Sequence, residues 1–209
     1  MARLIEGPVD PARVAANLAE IREEVGERVR ILAAVKYVED IAPLVAGGIT
    51  IVGENRAQEL ERKHAAHPDL EWHFIGHLQS RKVKQVLPLV KWIHSVASDS
   101  ALEQLGRHGT PETEVLVEVN IAGEEGKSGI APDALDAFIE RCPVKVVGLM
   151  TMPPATADPE DSRRWFAALA ELAGERGLRE LSMGTSQDYR VAADEGATMV
   201  RLGSILYGR

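Results

Sequence analysis

Residues 181–208 read LSMGTSQDYRVAADEGATMVRLGSILYG, and this stretch decides the fold. The run at 180–183 (ELSM) reads as a short strand. Residues 187–195 read as a helix that Gly196 is placed to end, and 199–203 (MVRLG) as a second strand. Strands separated by a helix are joined by a crossover, which makes them parallel. Outward from this unit the same alternation recurs. Apolar runs stand at 30–35 (RILAAV), 49–53 (ITIVG), 72–76 (WHFIG), 92–96 (WIHSV), 114–121 (EVLVEVNI) and 144–150 (VKVVGLM). They are apolar on both faces, as buried parallel strands are.

Helical text separates most of them, at 56–66, 80–90, 99–106, 132–141 and 159–174. In the last, Trp165, Phe166, Leu169 and Leu172 are read as one apolar face. A further helix precedes everything: Asp10 caps it, Pro11 sits in its first turn, and Val14, Leu18, Ile21 and Val25 recur at helical spacing. Eight strands and their crossovers fit an α/β fold, a (β/α)8 TIM-type barrel with an extra N-terminal helix. A doubly wound open sheet remains the alternative, since strand counting does not show closure. The length of 209 residues is near the lower limit of about 200 to 250 for such a barrel, and no linker divides it, so one domain over 1–209 is expected.

Composition narrows the function. Net charge is −8, which repels a phosphate backbone and argues against nucleic acid as a partner. No apolar run reaches the roughly 18 residues that cross a bilayer, so no membrane partner is expected. The opening MARLIEGPVDPARV shows no apolar core followed by a cleavage site, and the only cysteine, Cys142, excludes an intrachain disulfide. A cytoplasmic protein is expected. His77 has no second histidine or carboxylate at ligand spacing, so no metal is assigned.

In a βα barrel the chemistry belongs to the C-terminal ends of the strands. Strand one ends in Lys36. It reads either as a lysine snorkelling at the rim or as a desolvated amine suited to condensing with an aldehyde. Strand two ends in Gly53, Glu54, Asn55 and Arg56, which would also serve to cap the next helix. His94 and Ser95 in strand four read as satisfied core polar groups. Residues 123–129 (GEEGKSG) lack the first glycine of a phosphate-binding P-loop, because Ile121 stands there; they read as a mobile loop over the mouth. After strands seven and eight come Gly184, Thr185, Ser186 and then Gly203, Ser204. Small hydroxyl and glycine residues here are either ordinary turns or a phosphate cradle. An end-of-strand lysine, a phosphate cradle and an arginine between them, Arg201, suit a phosphorylated aldehyde such as pyridoxal 5′-phosphate.

The motifs carrying these residues resemble those of a known family. AVKYV surrounds Lys36, GENRAQEL occupies 53–60, WHFIGHLQSRKVK 72–84, HSVAS 94–98, VEVNIAGEEGKSGI 117–130 and GLMTM 148–152, with the C-terminal stretch quoted above. Together they resemble the YggS/PROSC-like pyridoxal phosphate-binding proteins. The resemblance implies a single barrel like the N-terminal domain of alanine racemase, of the fold-type III class. It implies that Lys36 holds pyridoxal 5′-phosphate as a Schiff base, that Ser186, Gly203 and Ser204 lie at the phosphate, and that Arg201 meets the pyridine nitrogen. Asn55 and Ser182 carry over as pocket-lining groups. Thr185 stands where the family often has methionine, and Arg81 where asparagine is frequent; neither change removes an anchor.

The family's association with vitamin B6 implies a role in cofactor homeostasis, with apo-enzymes as acceptors, no dedicated reaction, and a monomer expected. The alternative is a weak amino-acid racemase or other pyridoxal phosphate-dependent enzyme. Racemisation needs an acid/base group on each face of the substrate. Tyr37 should point away from Lys36 if both lie on a strand, Tyr189 lies beyond the phosphate loop, and Tyr207 lies past strand eight, so none is an evident second base.

Overall fold

The computed structural model describes residues 9–208. Residues 1–8, part of the stretch read for a leader, lie outside the described residues. Strands β1 (Arg30–Ala34), β2 (Ile51–Glu54), β3 (Glu71–Phe74), β4 (Trp92–Val96), β5 (Glu114–Glu118), β6 (Lys145–Met150), β7 (Glu180–Ser182) and β8 (Met199–Leu202) form a closed parallel barrel in chain order. The open-sheet alternative is therefore set aside. Closure is made by β8 against β1, where Arg30 to Ala33 register with Met199 to Leu202. All the strands read from the sequence are present; the fourth has the bounds read, and each of the others loses one to three residues at an end.

The helices are α1 (Pro11–Val25), α2 (Ala42–Ala46), α3 (Ala57–Ala66), α4 (Val83–Val86), α5 (Asp99–His108), α6 (Leu135–Glu140), α7 (Arg163–Glu175), α8 (Tyr189–Asp194) and α9 (Ser204–Tyr207). Helix α1 begins as its sequence requires: the Asp10 carboxylate accepts the Ala12 N–H at 3.0 Å, and Pro11 fills a position whose N–H would have no partner. The helix read at 80–90 is instead a chain of short turns, with α4 flanked by 3₁₀ segments at Ser80–Lys82 and Leu87–Leu89. Pro88 supplies no N–H and crowds the turn before it, so a regular helix does not run through. Helices α2 and α9 are too short to show a periodic pattern in the sequence.

Two apolar layers result. Leu32, Trp92, Leu116, Met150 and Met199 come from different strands and form a cluster of their own, filling the barrel. The larger cluster lies between strands and helices. On α7 the buried seam is Phe166, Leu169 and Ala173. Trp165 is displaced from it and half-buried, with the Arg164 guanidinium 4.4 Å from its ring centroid. Phe166 and Leu169 of the face read from the sequence are therefore on the seam, and Leu172 packs at its edge. Among the described residues β8 is followed by the single turn of α9, and α1 packs against α2, α8 and α9 to complete the outer ring. Asn17 of α1 donates its side-chain amide to the Leu206 carbonyl at 3.0 Å.

Candidate functional site

Closure makes β7, β8, β1 and β2 consecutive staves, and every candidate residue lies on them or just beyond their C-terminal ends. Lys36 stands in the turn past β1 and is half-buried. Its ammonium lies 4.6 Å from the centroid of the Tyr37 ring. The expectation that Tyr37 points away from Lys36 is thus corrected. Alternation belongs to strands, and β1 has ended at Ala34.

The base of this turn is held from below. Lys63 of α3 donates to the Val35 carbonyl at 2.7 Å and to Glu54 Oε2 at 2.6 Å. Glu54 Oε1 accepts the backbone N–H of Asn55 at 2.6 Å and of Arg56 at 3.2 Å. One buried ion pair therefore ties the ends of β1 and β2 to α3. Asn55 sits directly above it, and its Oδ1 is shut from solvent with no hydrogen-bond partner.

Across the seam, the loops after β7 and β8 meet: the Gly203 N–H donates to Ser186 Oγ at 3.1 Å. Gly184 has φ +89°, and a Cβ there would lie 2.6 Å from Ala192 Cβ, so only glycine turns the chain here. Thr185 is held by Asp188, whose Oδ1 accepts the Thr185 N–H at 2.7 Å and the hydroxyl at 3.0 Å. Gly203 precedes α9, and a Cβ on it would come within 3.2 Å of the Tyr207 hydroxyl. That hydroxyl donates to the Ala34 carbonyl, joining α9 to the end of β1. Ser204 is exposed at the start of α9.

Arg201 projects from β8 into the interior and is buried. One terminal nitrogen donates to the Ser182 carbonyl at 2.6 Å and to Ser182 Oγ at 2.7 Å; the other donates to the Thr151 carbonyl at 2.8 Å. Among the described residues no carboxylate pairs with it. Burial draws its pKa down to about 10, so it keeps its charge at neutral pH. Ser182 is buried behind Arg201 with its hydroxyl already engaged, a supporting place rather than an open wall.

The sequence reading gave His94 no more than a core role. The structure joins it to Ser182 at 2.8 Å and to His73 at 2.8 Å. The remaining tyrosines are occupied. Tyr189 donates to Glu24, and burial pushes its phenol up to about 12; burial likewise raises Tyr207. The 121–131 loop is rooted by Asn120, whose amide spans to the Glu124 backbone at 2.9 Å and 3.1 Å. With Thr151 and Met152 it lines a cavity of about 390 Å³ beside the mouth.

Residues 9–209 match the family described as alanine racemase, N-terminal domain. The pyridoxal phosphate homeostasis protein of Aquifex aeolicus is 42% identical over 196 residues, covering 86% of each chain. The chain belongs to this family. Another member, the homeostasis protein of Pseudomonas aeruginosa, is 37% identical over 213 residues, 94% of this chain and 93% of that one. Among solved structures of the family, PipY of Synechococcus elongatus PCC7942 with PLP bound aligns at a TM-score of 0.80 and 32% identity. The match covers 93% of this chain and all of PipY, 100%. Alanine racemase from Corynebacterium glutamicum aligns at 0.78 with 18% identity, covering 96% of this chain and 62% of the racemase. At that identity the likeness is one of fold. No helix among the described residues is long and apolar enough to cross a membrane.

Proposed function

We propose that this family member binds pyridoxal 5′-phosphate across the β8–β1 seam, in one barrel domain spanning 1–209. We propose further that it serves as a cytoplasmic, monomeric carrier in pyridoxal phosphate homeostasis. The observation that carries the reading is the seam itself. It sets a half-buried primary amine, a buried cation without a carboxylate, and a glycine–serine joint on adjacent staves. The residues present fit the group. Asn55 Oδ1 is an acceptor awaiting a donor, and Gly203 leaves open a space that a Cβ would fill. Relatives bearing the homeostasis name, and PipY with PLP bound, support the same assignment.

When bound, pyridoxal 5′-phosphate supplies an aldehyde that condenses with an amine by loss of water, a phosphate tail, and a ring able to accept electrons. Lys36 provides the amine. Ser186, Gly203 and Ser204 bind the phosphate through hydroxyl and backbone N–H groups. Arg201 would donate toward the ring nitrogen, and its charge would oppose protonation there, weakening the electron sink and favouring retention over turnover. The phenols of Tyr189 and Tyr207 are committed to Glu24 and to the Ala34 carbonyl, which leaves Tyr37, beside Lys36 itself, as the one tyrosine near the amine among the described residues. Asn55 holds its place over the Glu54–Lys63 pair, and Ser182 braces Arg201.

Borohydride reduction of the PLP-treated protein, followed by peptide mapping, tests the reading. A single adduct on Lys36 is expected, and Lys36→Ala should abolish it while leaving reversible phosphate-dependent binding. An adduct at another lysine, or one surviving in Lys36→Ala, rejects the anchor. Racemisation of L-alanine above about 1 s⁻¹ would establish the enzymatic alternative. Transfer of PLP to an apo-enzyme faster than free release would establish the acceptor role.

A further inference from the structure

A file of polar side chains runs through the barrel from its N-terminal end to Arg201. Glu71 opens β3, and its Oε1 lies 2.9 Å from His73 Nε2. His73 Nδ1 is 2.8 Å from His94 Nε2, His94 Nδ1 is 2.8 Å from Ser182 Oγ, and Arg201 donates to that same oxygen at 2.7 Å. His73, His94 and Ser182 are buried; the Glu71 side chain is 40% exposed.

The two ends give the file a direction. A guanidinium only donates, and a carboxylate only accepts. Ser182 Oγ accepts from Arg201 on one lone pair, and, with the order set from the Glu71 carboxylate, its hydroxyl donates to His94 Nδ1. His94 then carries its hydrogen on Nε2 and donates to His73 Nδ1. His73 in turn carries its hydrogen on Nε2 and donates to Glu71. With both rings neutral, this single arrangement satisfies every contact. Burial, the largest influence, holds both imidazoles below their ordinary range. The charges facing the pair are Arg30, Lys91 and Glu71 toward the N-terminal end and Arg201 at the other. Only Glu71 favours a charged ring.

We propose that Glu71, His73 and His94 are positioning residues. Through Ser182 they fix Arg201 in one donor geometry and so set how firmly the cofactor's ring nitrogen is kept unprotonated. This rests on the placement of Arg201 at that nitrogen. The reason is local. A lone serine hydroxyl rotates freely and can swing its lone pairs off Arg201, whereas the bond to His94 Nδ1 fixes that rotation and keeps a lone pair facing Arg201. Nothing else touching Ser182 Oγ among the described residues does this.

The test uses full-length protein loaded with ring-¹⁵N pyridoxal 5′-phosphate, in wild type, His94→Leu and His94→Asn. It reads the ring-nitrogen resonance against pH and the rate of PLP release. An asparagine amide oxygen reaches the place of Nδ1 but not of Nε2. His94→Leu should move the resonance toward the protonated form and speed release by about tenfold. His94→Asn should recover most of both. Glu71→Ala, which alters only the solvent-reaching end, should move both readouts the same way by about twofold, and it serves where His94→Leu does not fold. Wild-type values in His94→Leu, or in Glu71→Ala should His94→Leu not fold, overturn the relay. Equal losses in His94→Leu and His94→Asn do so as well, since they would mark simple packing. A wild-type ring nitrogen that is already protonated defeats the placement of Arg201 instead, before any variant is compared.

Discussion

Lys63 and Arg201 are both shut away from solvent, at 3% and 7% exposure, and both reach backbone carbonyls near the strand ends. Their surroundings differ in one respect. Lys63 meets a carboxylate at 2.6 Å, and that carboxylate also collects the N–H groups of Asn55 and Arg56. Arg201 meets only carbonyls and one hydroxyl. The first charge is neutralised by the fold and acts as scaffold. The second is left over, and an uncompensated buried cation is costly unless a ligand's lone pair or negative charge completes it.

The largest expected effect breaks the scaffold. Lys63→Met strands Glu54 and should cost about 3–5 kcal/mol in denaturant unfolding. Arg201→Met should cost less, about 1–3 kcal/mol for the carbonyls it leaves unpaired, yet weaken PLP retention more than any stable variant of the pair. If Arg201→Met proves the more destabilising of the two, the contrast fails. Ser186→Ala sharpens it from the ligand's side: stability should hold within about 1 kcal/mol while PLP dissociates about tenfold more readily, measured by equilibrium dialysis.

Acidification gives a smaller effect in two windows. His73 and His94 titrate lower in the native state than when unfolded. The stability they confer as neutral groups is present above about pH 6.5 and is lost progressively as pH falls below it. Glu114, held down to about 2 first by Lys145 and then by the Trp92 indole N–H, contributes above about pH 4.5 and loses that contribution as pH falls toward 2. A thermal melt series should show both windows, and His73→Gln/His94→Gln should flatten the upper one. The smallest effect belongs to an exposed pair. Lys145→Ala removes an ammonium whose side chain is 63% exposed and should cost under about 1 kcal/mol.

How much of this is legible in sequence follows from the range of each interaction. The strands announce themselves because each is a short apolar run between polar helices. The glycine–serine turns and Lys36 are legible because they occur in order within recognisable motifs. Closure is not, since no local pattern says that Arg201 will register with Leu32. The Glu54–Lys63 pair hides in GENRAQELERK, which reads as capping residues followed by an exposed helix. The His94–Ser182 contact spans 88 positions, so His94 alone reads as a core polar group and Ser182 as a pocket-lining one. Tyr37 was misplaced for a smaller reason: the strand stops sooner than its apolar run.

The outer ring borrows its last helix from ahead of the first strand, because α1 covers the place that the single turn of α9 leaves bare. In the chain α1 precedes every stave; it packs on α2, close behind it in sequence, and on α8 and α9, which lie beyond β7 and β8. Such long-range contacts slow folding. Part of the α1 face therefore stays without its partners until α8 and α9 are in place, and the pocket comes into being in the same moment as the cylinder shuts.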